Sequence, residues 1–327
     1  MANASYLFEL TNEPYPINKN YYLPAVQYTI SMPIILVPNL YFLYITLTDK
    51  VFTKRPVLKT TILTFCFLNI ATISFNLMVS SYYLNSYFNG GLIRPSICSY
   101  MRRMQMLMMI LLVTTPLLFT VHRYFTVFSN GNYQNYISLI ICIVANFPAL
   151  ILFISMFLTT DIIWVADEIC GYIKNPIVPF YVNTLESIYY VSLAIPLIVL
   201  VINFIMIKRL SSLSVTSSVG KHKKNENRIV FINLLIQTLQ PFIGQWPSIL
   251  FYFYLVITKN NIYIVWRILD GLTALSLVLN IIFSIIFIKD VRNVFLKKIG
   301  MNVVNIVGDA ITITNHTVHK VKSTIII

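Results

Sequence analysis

Residues 98–124 read CSYMRRMQMLMMILLVTTPLLFTVHRY, and this stretch decides the architecture. From Met104 to Val121 there is no Asp, Glu, Lys or Arg. A helix of about 20 residues crosses a hydrocarbon core of roughly 30 Å, so the run is long enough to span a bilayer, with basic residues at both ends. Runs of the same kind, separated by charged or Asn/Gly/Pro-rich segments, recur along the chain. They fall at about 24–48, 60–84, 100–127, 135–159, 184–208, 229–257 and 263–288, seven in all. The expected fold is an all-α integral membrane protein, a seven-transmembrane helix bundle over 24–288. Residues 1–23 form an N-terminal segment and 289–327 a C-terminal tail.

Composition points the same way. Of 327 residues, 57% are hydrophobic and 11% charged, against about 25% charged in an ordinary soluble domain. A water-facing surface needs more charge than this, whereas a chain dissolved in lipid does not. The net charge of +13 raises the question of nucleic acid. The basic residues flank the apolar runs instead of interleaving with aromatics, so no nucleic-acid partner is expected. The first residues lack a basic start followed by an apolar core, so no cleavable signal peptide is expected and the first span acts as its own insertion signal. No internal repeat is found.

Orientation follows from the Lys and Arg of the connecting segments. One alternate set holds Lys50, Lys54, Arg55 and Lys59, then Arg123, then six between Lys208 and Arg228, then Lys289, Arg292, Lys297, Lys298, Lys320 and Lys322. The other holds only Lys19, Arg94, Lys174 and Lys259. The richer set belongs in the cytoplasm, which puts the N-terminus outside and the C-terminus inside. Asn3 then begins a glycosylation sequon on the outer side, whereas Asn315 would be cytoplasmic and unused. The Ser-rich segment 211–218 with the basic 221–224 reads as a flexible cytoplasmic loop.

Cys98 precedes the third span and Cys170 lies between the fourth and fifth, both on the outer, oxidising side. They can pair, and a disulfide would tie the loop to the mouth of the bundle. Cys66 and Cys142 lie within spans as small apolar residues. There is no Cys-x-x-Cys pair and no His cluster, so no metal or other cofactor is expected. Nor do nucleophile, acid and base converge: three of four His lie in predicted cytoplasmic segments, and an enzyme is not expected. Arg102, Arg103, Arg267 and Asp270 are ionisable groups close to or within spans. They either face a wet cavity or, for the first two, anchor a helix end at the membrane surface.

His122-Arg123-Tyr124 closes the third span 25 residues after Cys98. This spacing resembles the rhodopsin-like receptors, in which a loop-bridging Cys opens helix three and an Asp-Arg-Tyr motif closes it. His122 stands where an acid is usual, so Arg123 needs another acceptor. Glu226, ahead of the sixth span, is a candidate. The alternative is that Arg123 only snorkels at the membrane boundary. Residues 240–247 read QPFIGQWP, where Pro and Gly call for a kink. The stretch is similar to the Trp/Pro kink of those receptors and implies a pivot at Gly244, Trp246 and Pro247. The seventh span ends Asn280-Ile281-Ile282-Phe283 and runs into Ile288-Lys289-Asp290-Val291-Arg292. Without the family's Pro and Tyr, it resembles nematode serpentine chemoreceptors more than vertebrate receptors, as does Gln27-Tyr28 followed by Pro33.

The resemblance covers about 20–298 and implies a rhodopsin-like G-protein-coupled receptor architecture. It further implies a plasma-membrane location, with sensory-neuron cilia as one setting. The implied partners are a heterotrimeric G protein, met by His122, Arg123, Tyr124, Glu226, Lys289 and Arg292, and a small extracellular ligand such as an odorant or pheromone. Gln105, Met106 and Met109 would face that ligand, with Trp246 as floor and Asp270 at the rim. The same residues also suit ordinary helix packing. The competing reading is a seven-span channel or transporter subunit. Odorant-gated channels of that kind carry their termini on the opposite sides of the membrane, and transporters show paired repeats.

Overall fold

Prolines set where three of the long helices begin. A computed structural model describes residues 14–54, 56–128, 134–158, 179–212, 235–236, 238–260 and 262–298. Helix α1 spans Tyr22–Thr48, α2 Pro56–Phe88, α3 Pro95–Phe128, α4 Gln134–Leu158 and α5 Pro179–Ser212. Residues 238–244 are helical and lead across a turn at Gln245 into α6, Trp246–Thr258. Helix α7 spans Tyr263–Phe287 and α8 Lys289–Lys298. Pro56, Pro95 and Pro179 each occupy a first helical position, where the missing N–H has no intrahelical acceptor to satisfy. These helices therefore start four or five residues before the apolar runs identified in the sequence. An apolar run measures the hydrocarbon core, and the helix continues past it into the polar layer.

Five helices in the described residues are long and apolar enough to cross a membrane: Lys19–Thr48, Leu58–Phe88, Tyr100–Phe125, Ser187–Arg209 and Tyr263–Ile286. Their surface is inverted relative to a soluble protein. On α7, Ile264, Ile268, Leu275, Ile282 and Ile286 are exposed, while Thr273, Ser276, Asn280 and Ser284 are buried. On α4 the exposed residues include Leu139, Ile140, Ile143, Val144 and Phe147, while the polar Asn146 is buried. An apolar exterior of this extent is a liability in water and the normal state in lipid. The protein is an all-α membrane protein.

Helix α1 packs on α2 and α7, α3 touches α2, α4 and α5, and α6 lies between α5 and α7. At one end Phe42, Ile45, Phe52, Leu58, Ile62 and Ile281 form a core with Ile288, Val291 and Val294. The last two belong to α8, whose Lys297 and Lys298 remain exposed, so α8 is an amphipathic helix. The tail expected from 289 onward thus begins as a helix docked on α1, with the Phe295 ring 6.1 Å from Tyr41.

The other end is closed by an element that the sequence reading omitted. Tyr15–Pro16 pairs antiparallel with Leu92–Ile93, and the Ile17 N–H donates to the Gly91 carbonyl at 2.9 Å. Gly90 and Gly91 have φ of +109° and +69°, which side chains disfavour. The Tyr83 hydroxyl donates to the Asn18 carbonyl at 2.6 Å. Ile17, Tyr21, Tyr83, Ile93 and Cys98 then pack as one cluster, holding the segment before α1 against the start of α3.

Candidate functional site

Between these helices lies a cavity of about 1220 Å³, counting the space at its mouth. Its walls come from α1 (Tyr28), α2 (Asn76, Val79), α3 (Arg102 to Val113), α5 (Ile188 to Ser192), α6 (Gln245 to Tyr252) and α7 (Trp266 to Thr273). These positions fall in the first halves of α1, α5 and α7, from the start to about the middle of α3, and in the second half of α2, so the cavity belongs to the end of the bundle that holds Cys98. The lining is mostly apolar with a few placed polar groups, the usual make-up of a small-molecule site.

Two polar chains brace the walls. The Tyr28 hydroxyl donates to Asp270 Oδ1 at 2.7 Å, and Arg267 Nη1 stands 3.5 Å from Asp270 Oδ2. Gln27 Nε2 donates to the Arg267 carbonyl at 3.3 Å, and the Arg267 guanidinium lies 5.9 Å from the centre of the Tyr21 ring. An intramembrane carboxylate is tolerable when paired in this way, and the pairing joins α1 to α7. On the facing wall Arg102 Nη1 donates to Gln105 Oε1 at 2.7 Å, Gln105 donates to Asn76 Oδ1, and Asn76 Nδ2 donates to the Thr72 carbonyl at 2.8 Å.

Gln105, Met106, Met109 and Asp270 line the cavity, as does Arg102. Arg103 is 1% exposed, which excludes a role as a surface anchor. Trp246 is not part of the described lining. Its ring packs at a tilt against Phe242, the centroids 4.4 Å apart, and the neighbouring Gln245 takes the cavity position. A turn at Gln245 joins the helical residues 238–244 to α6, its φ of −96° and ψ of −38° stay in the helical region, and Trp246 lies one turn on from Phe242. Sequence reasoning also missed Tyr28, Asn76, Tyr189, Tyr252 and Trp266. The pairing of Tyr28 with Asp270 could have been sought, because a carboxylate in lipid requires a donor.

Gly244 has a different part from the loosening expected of it. A Cβ there would lie 2.6 Å from Ser276 Cβ, and Thr273 Oγ1 donates to the Gly244 carbonyl at 3.0 Å. The glycine lets the helical segment 238–244 lie directly on α7.

Just below runs a cluster of buried amides. Asn39 Nδ2 donates to the Ile35 carbonyl at 3.0 Å and the Leu277 carbonyl at 3.2 Å. Asn69 Nδ2 donates to Asn39 Oδ1 at 3.3 Å and to the Leu277 carbonyl at 3.3 Å. Gln240 Nε2 donates to Asn69 Oδ1 at 3.1 Å, and Asn280 Nδ2 donates to Gln240 Oε1. Four helical segments are joined by neutral groups alone.

At the far end of α3, His122, Arg123 and Tyr124 are half-buried. Tyr124 and Phe128 pack with Met206 of α5, and the Arg209 guanidinium stands 4.8 Å from the Phe128 ring centre. Arg102 and Arg123 are separated by about 30 Å along one helix at 1.5 Å per residue. Pro247 sits in the first turn of α6, and Arg292 is half-buried in α8, which Lys289 opens. Cys98 is disulfide-bonded and fully buried, and Cys66 is free. Asn3, Cys170 and Glu226 lie outside the described residues. The chain matches no family model and no curated protein.

Proposed function

We propose that the chain is a chemosensory G-protein-coupled receptor with seven spans and rhodopsin-like architecture, in which α4 and the α6 segment join the five long apolar helices. The observation that carries this reading is the cavity walled by six helices at one end of the bundle, with Arg123 about 30 Å away at the other. The cavity suits a small, largely apolar molecule of the odorant or pheromone kind. The Lys/Arg asymmetry puts the cavity end outside, with Asn3 available for glycosylation and Cys98 bridged to Cys170.

Ligand binding acts by favouring one of two arrangements of the bundle. The break at Gln245, flanked by Gly244, Trp246 and Pro247, is where α6 pivots. Its inner end then parts from α3, releasing Arg123 from Glu226. His122, Arg123, Tyr124, Lys289 and Arg292 meet a heterotrimeric G protein at the plasma membrane, in a setting such as the cilium of a nematode sensory neuron.

Topology tests the reading first. On intact cells a tag ahead of Met1 is expected to bind antibody and one after Ile327 to bind only after permeabilisation. The reverse result matches a seven-span channel subunit and rejects the receptor.

A further inference from the structure

Gln245 stands at the turn between the helical residues 238–244 and α6 with its backbone satisfied: its N–H donates to the Pro241 carbonyl at 3.0 Å and its carbonyl accepts from the Ile249 N–H at 3.0 Å. Its side chain makes no capping bond. It is 6% exposed and lines the cavity, and among the described residues neither Nε2 nor Oε1, both of them buried, has a hydrogen-bond partner. The other amides of the wall are engaged, Gln105 with Arg102 and Asn76, and Asn76 with Thr72. A buried amide with both ends unmet is rare and unfavourable unless something else meets it.

We infer that Gln245 recognises a primary carboxamide or lactam on the ligand. A group must both accept from Nε2 and donate to Oε1 along one edge to satisfy this side chain. Primary amides and lactams present N–H and C=O on the same edge. A trans secondary amide presents them on opposite edges, an ester or ketone only accepts, an amine only donates, and a carboxylate sets a negative oxygen against Oε1. The rest of the ligand is apolar, because Met106, Met109, Ile110, Val113, Ile188 and Ile249 form the neighbouring wall. This deepens the receptor reading and rests on it for the route of entry from outside.

The test uses the full chain in phospholipid nanodiscs with octanamide and methyl octanoate as probes, their affinities taken from the shift in thermal unfolding. The wild type is expected to bind octanamide at least about tenfold tighter than the ester, since the ester leaves a buried acceptor unpaired. Gln245→Leu is expected to remove that preference while keeping ester affinity, and to unfold no earlier than wild type without ligand. Gln245→Met serves as the second apolar variant. Equal affinity of the two probes for the wild type, including no binding of either, overturns the inference, as does an amide preference that survives in both variants. Guanine-nucleotide exchange on an added G protein is read in parallel. Amide selectivity without exchange rejects the receptor reading alone, and exchange without amide selectivity rejects this inference alone.

Discussion

Gln240 is central to the buried amide cluster, because it joins the helical segment 238–244 to both Asn69 of α2 and Asn280 of α7. Gln240→Leu removes two interhelical hydrogen bonds and leaves Asn69 Oδ1 and Asn280 Nδ2 without partners. Such bonds contribute about 0.6 to 1.7 kcal/mol each within membrane bundles, so the loss is about 1–3 kcal/mol. That corresponds to a midpoint lowered by about 2–12 °C for a large domain. The unfolding can be followed with a thiol-reactive dye, since Cys66 is free, 3% exposed and labelled when the core of α1, α2 and α7 opens. Asn280→Leu is expected to lose a comparable amount. The double variant is expected to lose less than the sum, because replacing both partners leaves no orphan between them. Single variants within about 1 °C of wild type, or losses that simply add, would refute the claim that these amides act as one unit.

Gly244→Ala is expected to lower the unfolding midpoint, with Ser276→Gly restoring most of the loss in the double variant, because the added Cβ would meet Ser276 Cβ at 2.6 Å. No rescue would mean that the close approach is not the cause. Cys98→Ser and Cys170→Ser are each expected to reduce delivery to the cell surface, measured by tag labelling, with the double variant no worse than either. Additive losses would show that the two cysteines are not partners.

Much of the helical framework was legible because its signal is simple: charge-free runs of membrane length, which α1 to α5 and α7 follow closely. Helix ends were less legible because Pro56, Pro95 and Pro179 start helices outside the apolar runs. The α8 helix was hidden since alternating Val291, Val294 and Lys297 in so short a segment resembles a charged tail until Tyr41 and the α1–α2 core are present to receive it. The strand pair 15–16 with 92–93 depends on contact between segments far apart in sequence, which no local pattern reveals. Of the cavity residues, Gln105, Met106 and Met109 were expected from the resemblance carried by Cys98 and Arg123, and Asp270 from its charge at membrane depth. Gln245 was not, because the resemblance pointed to Trp246, which instead packs on Phe242 one helical turn earlier.

The most direct test of the account uses Arg123→Ala, at the opposite end of α3 from the cavity. Purified wild type and variant are reconstituted with a heterotrimeric G protein, and ligand binding and guanine-nucleotide exchange are measured on the same preparations. Arg123 is far enough from Arg102 that the variant is expected to keep ligand affinity within about threefold while exchange falls by about tenfold or more, since coupling between two sites can fail without loss of either. Ligand-driven exchange at the wild-type rate by a folded Arg123→Ala protein would contradict the account and leave Arg123 as a membrane-boundary anchor.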